Sequence, residues 1–147
     1  MTSFEGYIDI NKPQKEVSKI FANPDNLIHY QDGFVKKELI RGEAGKAGAV
    51  SKMYYKYGKR DMVLTETIVK NELPNTFIAN YHHKHMDNSL TSEFVVLNEN
   101  KTRYKYYGSY TRISWVIPKL IAIFYPKLYR KQAEKWMTQF KNYVESR

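Results

Sequence analysis

The sequence contains no cysteine, which excludes disulfide bonds, thiolate metal ligands and cysteine nucleophiles together. No apolar run approaches the roughly 18 residues that a membrane-spanning helix requires. The first residues do not join a basic start to a long apolar stretch, so we expect no signal peptide and a cytoplasmic location. Because no linker, repeat or low-complexity tract interrupts the chain, residues 1–147 are predicted to form a single domain.

Motifs for cofactor chemistry are missing as well. The segment GEAGKAG, residues 42–48, contains glycines but lacks the spacing and the Lys-Ser/Thr ending of a phosphate-binding loop. No serine lies in a nucleophile elbow. We therefore expect no cofactor.

The net charge of +9 is confined to the C-terminal part of the chain. Residues 1–100 carry 13 basic and 13 acidic side chains, whereas residues 101–147 carry 11 basic and 2 acidic ones. This asymmetry indicates either a surface for anionic partners or basic side chains that solubilise an apolar helix. In the first case, the apolar and basic residues of segment 115–131 predict transient contact with an anionic membrane surface.

Strand patterns account for most of the chain. The first, SFEGYIDIN, alternates apolar and polar residues, as a strand with one buried face does. Six more strand-length segments lie between Gly33 and Tyr110, rich in aromatic and β-branched residues and separated by short turn signals, among them Met86-Asp87-Asn88. Such short connections predict an antiparallel meander.

Helical patterns occur at two places. After the first strand, Asn11 is a plausible N-cap, Pro13 would lie in the first turn, and Asn23-Pro24 should separate this helix from a second short one. The C-terminal segment 114–147 has the apolar spacing of one long helix. Pro126 lies within that segment, so we expect a kink or a break there.

The order of strand, two short helices, six strands and long helix resembles the START-like or Bet v 1-like (SRPBCC) superfamily, and within it bacterial polyketide cyclase/dehydrase and lipid-transport-like proteins. The residues that carry the resemblance are YIDIN, INKPQKEVSKIFANPDNL, TETIVKNELPNTF and KQAEKWMTQFKNYVE. The resemblance implies an α+β helix-grip fold, in which a curved seven-stranded antiparallel sheet wraps around a long C-terminal helix. It further implies a hydrophobic cavity between sheet and helix.

Alternation along the strands predicts which side chains face this cavity. Charged residues such as Lys52, Lys56, Arg103 and Lys105 should face solvent, which sends the intervening aromatic residues inward. Inward tyrosines suit a ligand pocket, although they would serve equally as cross-strand pairs that hold the sheet together. The predicted ligand-binding residues are Met53, Tyr55, Tyr57, Met62, Leu64, Glu66, Tyr81, His83, Tyr104, Tyr106, Ile117, Ile121 and Phe124.

Glu66 is a candidate catalytic acid or base, because a carboxylate between Leu64 and Ile68 on an inward face would be desolvated. Two alternatives are that Glu66 pairs with a lysine or arginine, or that the opposite face of its strand is the inward one. His83 is the second candidate, as an acid–base partner of Glu66. The segment YHHKH also suggests a zinc site, because imidazole is a common zinc ligand. Two histidines and one nearby carboxylate, Asp87, are not sufficient for such a site, so no metal is predicted.

The resemblance favours a protein that binds or transports a small hydrophobic molecule, whether lipid, sterol-like or polyketide-like. The alternative is a cyclase, dehydratase or hydrolase that acts on an aromatic or polyketide-like substrate in the same cavity. The sequence holds no convincing catalytic set, which favours the binding protein. No nucleic-acid partner is expected, because the tyrosines that could stack on bases are predicted to lie inside.

Overall fold

The computed structural model describes residues 2–113 and 126–147. In this part of the chain, seven β-strands and three α-helices follow one another in the predicted order, with one short 3₁₀-helix between the first two α-helices. The elements are β1 (Thr2–Ile10), α1 (Gln14–Ala22), the 3₁₀-helix (Pro24–Asn26), α2 (Leu27–Tyr30), β2 (Phe34–Arg41), β3 (Val50–Tyr57), β4 (Arg60–Glu72), β5 (Thr76–His83), β6 (Met86–Asn98), β7 (Lys101–Ile113) and α3 (Pro126–Glu145).

The strands form one antiparallel sheet in the order β1-β7-β6-β5-β4-β3-β2. Six of the strands are therefore paired in chain order, and β1 adds to the free edge of β7. Together with the two short helices after β1 and the C-terminal helix, this topology confirms the predicted helix-grip fold.

The start of α1 differs from the prediction. Pro13 takes an extended conformation (φ −62°, ψ 149°) and immediately precedes the helix, which begins at Gln14. Asn11 is not the N-cap, because the helix begins at Gln14 and Pro13 directly precedes it. The Asn11 backbone N–H instead donates to Glu145 Oε2 at 2.7 Å and so joins the end of β1 to the end of α3. The predicted break at Asn23 is confirmed, and the Asn23 side chain accepts a hydrogen bond from the backbone N–H of Asp25.

Two further boundaries bear on the predictions. β6 begins at Met86, so the residues predicted as a turn, Met86 to Asn88, are already paired with neighbouring strands. The expected kink at Pro126 concerns a junction with residues 114–125, which lie outside the described residues; α3 begins at Pro126.

The core lies where α3 and α1 pack against the sheet. Phe140 and Val144 of α3 are 1% and 0% exposed and share this core with Ile10 of β1 and Tyr104 of β7. The ring of Phe21 in α1 packs edge-on against several of these aromatic rings, with the centroid of Phe140 6.1 Å away. This cluster joins α1 and α3 to the sheet.

Membrane-spanning helices are not found in the described ranges, since none of the helices there is both long and apolar enough to cross a bilayer.

Candidate functional site

A cavity of about 720 Å³ lies between the concave face of the sheet and α3. Every strand of the sheet contributes to its wall, together with residues of α1, α2 and α3. The wall is mainly aromatic and aliphatic, which is the composition of a site that holds a small apolar molecule.

Ten of the side chains predicted to bind ligand lie on the wall of this cavity. They are Met53, Tyr55, Tyr57, Met62, Leu64, Glu66, Tyr81, His83, Tyr104 and Tyr106. The other predicted residues, Ile117, Ile121 and Phe124, lie outside the described residues. That any of them contacts a ligand remains a prediction.

Tyr55 lies at the centre of a stack of aromatic rings. Its ring is nearly parallel to those of Tyr57 and Trp136, with interplanar angles of 4° and 12° and centroids 6.2 and 6.1 Å away. The Tyr55 hydroxyl donates to Gln31 Oε1 at 2.7 Å, and burial raises the pKa of this phenol. The stack therefore joins β3 to α3 and gives the cavity a flat, uncharged wall.

Glu66 lies in the same cavity and is only 4% exposed. The Tyr81 hydroxyl donates to its Oε2 at 2.8 Å, and Lys37 Nζ lies 2.7 Å from its Oε1. Burial and the neighbouring carboxylate raise the pKa of Tyr81 well above its usual value, so Tyr81 is a neutral donor. The inward face predicted for Glu66 is therefore the observed one, and of the alternatives considered for this carboxylate, pairing with a lysine is the one found.

Lys37 lies on the cavity wall but was not predicted from the sequence to face the cavity. Its side chain is 23% exposed, and it reaches the cavity because β2 contains a β-bulge: Phe34 pairs with Tyr55, Lys36 with Tyr54, and Lys37 with Met53. The extra residue, Val35, shifts the alternation by one. Regular alternation from Phe34 would have sent Lys36 inward, and no residue type in FVKKELIR signals the bulge.

His83 lies on the wall but forms no pair with Glu66. Its Nδ1 accepts the backbone N–H of His85, and burial lowers the pKa of the His83 imidazole below 6.5, helped by the nearby His85 and Lys84. Asp87, the carboxylate nearest to these histidines in sequence, is held by the Arg112 guanidinium at 2.8 Å. The described ranges contain no cluster of three potential metal ligands among His, Cys, Asp and Glu.

Solved structures share this architecture over the full length of the chain. A START superfamily protein from Mycobacterium smegmatis superposes with a TM-score of 0.82 at 8% identity, covering 99% of both chains. The Zhui aromatase/cyclase from Streptomyces sp. R1128 gives 0.78 at 9% identity, covering 97% of this chain and 93% of that one. Ara h 8.0201 gives 0.77 at 12% identity, covering 99% of this chain and 98% of that one.

The chain has the helix-grip fold of START-like and Bet v 1-like proteins. No protein-family model and no curated protein sequence matches it. At identities of 8 to 12%, these likenesses show the fold alone, because one fold can host many unrelated functions. The evidence for a function therefore has to come from the side chains of this chain.

Proposed function

We propose that this helix-grip protein binds or carries a small apolar molecule in the cavity between its sheet and α3. The observation that carries the proposal is the cavity itself: about 720 Å³ of space bounded mainly by aromatic and aliphatic side chains. Well-packed interiors leave few voids larger than a water molecule, so a cavity of this size indicates a binding site. Its volume falls in the range of known small-molecule sites, roughly 300 to 1,000 Å³.

A cyclase or dehydratase acting on a polyketide-like substrate is the alternative, and the likeness to an aromatase/cyclase from Streptomyces is the observation in its favour. The geometry of the candidate acid–base groups is against it. Glu66 is occupied by Lys37 and Tyr81, and His83 is not hydrogen-bonded to Glu66. A binding role needs no such pair.

Contact with an anionic membrane surface remains a separate prediction for a carrier of lipids. The segment in question, 115–131, lies largely outside the described residues, and α3 begins within it. Binding to vesicles that contain anionic phospholipid, lost at high salt, is the expected behaviour.

Titration with the neutral fluorophore N-phenylnaphthylamine tests the binding function. We expect saturable binding of one molecule per chain. The variant Leu90→Trp should weaken it about ten-fold or more, because Leu90 lies on the cavity wall and an indole would occupy ligand space. Val95→Trp is the matched control, since Val95 is on the same strand but 39% exposed. Absence of saturable binding, or equal loss in both variants, would refute the proposal.

Native mass spectrometry of the purified protein gives an independent test and addresses the enzyme alternative. We expect a discrete adduct that disappears on denaturation and can be identified in an organic extract. Conversion of a polyketide-like substrate that stops in Glu66→Gln but continues in Val95→Trp would instead favour the enzyme.

A further inference from the structure

We propose that the cavity selects apolar molecules that carry an uncharged oxygen acceptor, such as a ketone, and that the Lys37 ammonium donates the hydrogen bond that anchors them. This inference rests on the proposed binding function and specifies the ligand class. It follows from the juxtaposition of Lys37, Glu66 and Tyr81 on an otherwise apolar wall.

Lys37 has more hydrogen-bond donors than its contact with Glu66 uses. An ammonium has three N–H groups to donate. Lys37 Nζ is 2.7 Å from Glu66 Oε1, and this ion pair is the one contact of the ammonium among the described residues. The ion pair balances charge and occupies at most one of the three N–H groups, which leaves two for a ligand.

A ligand in the cavity would reach Lys37 more readily than the oxygens of Glu66. Glu66 Oε1 is fully buried beneath the ammonium, and Oε2 accepts the Tyr81 hydroxyl. Lys37 keeps 23% of its side chain exposed and lies on the cavity wall. A ligand therefore meets the lysine, while the carboxylate acts as a positioning group that holds the ammonium in place.

The position of the pair in the sheet explains why the lysine can reach it. Lys37 is on β2 and Glu66 on β4, so the ion pair crosses the intervening strand β3. The residue of β3 paired with Glu66 is Ser51, a small buried side chain on the cavity wall. A bulky residue there would stand between the two charges.

The charges around Lys37 favour an uncharged ligand group over a carboxylate. Lys37 and Glu66 together are neutral, and the neighbouring groups add no positive charge: Tyr81 is a neutral phenol, and burial lowers the pKa of His83. A ligand carboxylate would bring an unbalanced negative charge beside Glu66 into apolar surroundings, at a large desolvation cost. A ketone accepts the same hydrogen bond without that cost.

Three naphthalene probes of similar shape separate the contribution of the hydrogen bond from the effect of ligand charge. They are acetylnaphthalene with a neutral ketone, ethylnaphthalene without oxygen, and naphthoate with a carboxylate. Their affinities are measured by displacement of N-phenylnaphthylamine. We expect acetylnaphthalene to bind better than naphthoate in the wild-type protein. The ratio of acetylnaphthalene to ethylnaphthalene affinity should fall about ten-fold or more in Lys37→Met, because a hydrogen bond from a charged donor is lost.

Lys36→Met is the matched control, because Lys36 is the adjacent lysine with its side chain 60% exposed, and the ratio should not change. Should Lys37→Met fail to fold, Lys37→Met combined with Glu66→Leu removes both charges together and should also lose the ketone preference. Tighter binding of naphthoate than of acetylnaphthalene to the wild type, or an unchanged ratio without Lys37, would overturn the ligand class. Failure of the fluorophore itself to bind would instead refute the binding function.

Discussion

The ring of Phe4 lies directly over Gly108, the residue opposite it in the pairing of β1 with β7. The relation is reversed two pairs further along, where Tyr106 faces Gly6 and its hydroxyl oxygen is 2.5 Å from the place a Cβ would occupy. Each glycine makes room for an aromatic ring on the cavity side of the sheet. Phe4 and Tyr106 both line the cavity, so these glycines shape its wall.

Gly108→Val should destabilise the protein by about 1–3 kcal/mol, because the new side chain collides with the Phe4 ring in a well-packed region. The free energy of unfolding in urea measures this. Lys105→Val, an exposed position on the same strand, is expected to stay within about 0.5 kcal/mol of the wild type. Equal stability of the two variants would contradict the packing argument.

Lys37→Met should lower the free energy of unfolding more than Glu66→Gln does. The first leaves a carboxylate that is 4% exposed without its counter-charge, at a cost of about 3 kcal/mol, whereas the second leaves a lysine that is 23% exposed. Urea unfolding of both variants at neutral pH gives the comparison. Lys36→Met serves as the control for removing a positive charge from β2. The reverse order would show that the ion pair does not hold Glu66 in its buried position.

Phe140→Ala should cost about 3–5 kcal/mol, since its ring is 1% exposed and removal leaves a large void among Phe21, Tyr30 and Tyr104. Thermal and urea unfolding are suitable measurements. Thr138→Ala, two residues earlier on the exposed side of α3, is the control and should have little effect. A small effect of Phe140→Ala would mean that the surrounding rings collapse into the space.

The free energy of unfolding should fall in acid because carboxylates that pair with arginine become protonated. The Arg103 guanidinium donates to both oxygens of Asp9, at 2.8 and 3.1 Å, and lowers the pKa of that carboxyl below 3.8. The stabilisation is therefore fully present above that pH and is lost as pH falls through the lower folded-state pKa. Unfolding in urea as a function of pH should show a shallower acid slope for Asp9→Asn.

The control for this pH experiment is Asp61→Asn, which removes a carboxylate that has no ion pair in the described part of the chain. Its acid slope should match that of the wild type. A slope in Asp9→Asn as steep as in the wild type would assign the acid sensitivity to other groups, such as Asp87 with Arg112.

Local patterns predicted the strands and their antiparallel pairing, whereas the curved seven-stranded sheet was implied by the family resemblance. Two of the six strand-length segments between Gly33 and Tyr110, FVKKELIR and TFIANYHH, coincide with β2 and β5, because alternation and turn residues are both encoded within a few positions. The same alternation predicted that Tyr55 and Tyr104 face the cavity, since charged residues fixed the opposite faces of β3 and β7, and both tyrosines lie on its wall. The start of α1 was predicted too early because the φ of Pro13 suits both a helix and an extended segment, and the local pattern does not specify the ψ of 149° that it adopts.

Non-local pairing limited the prediction of the site. Glu66 could be placed on an inward face from its own strand, but its counter-ion comes from β2, two strands away in the sheet. The strand alternation of β2 gave no reason to choose Lys37 over Lys36. Which lysine enters the cavity depends on backbone pairing with β3, and a one-dimensional pattern does not contain that information.

The bulge at Val35 also determines which lysine faces the cavity in a relative whose β2 differs in length. Val35 is 52% exposed and has no partner on β3, so a relative one residue shorter at this point would keep both Phe34 and Lys37 on the inner face. A relative of equal length with a regular strand would instead turn the residue at the position of Lys36 inward. In a relative, the residue equivalent to Lys37 is therefore the one that pairs with the equivalent of Met53 on β3. Counting residues from the preceding turn would select a different position.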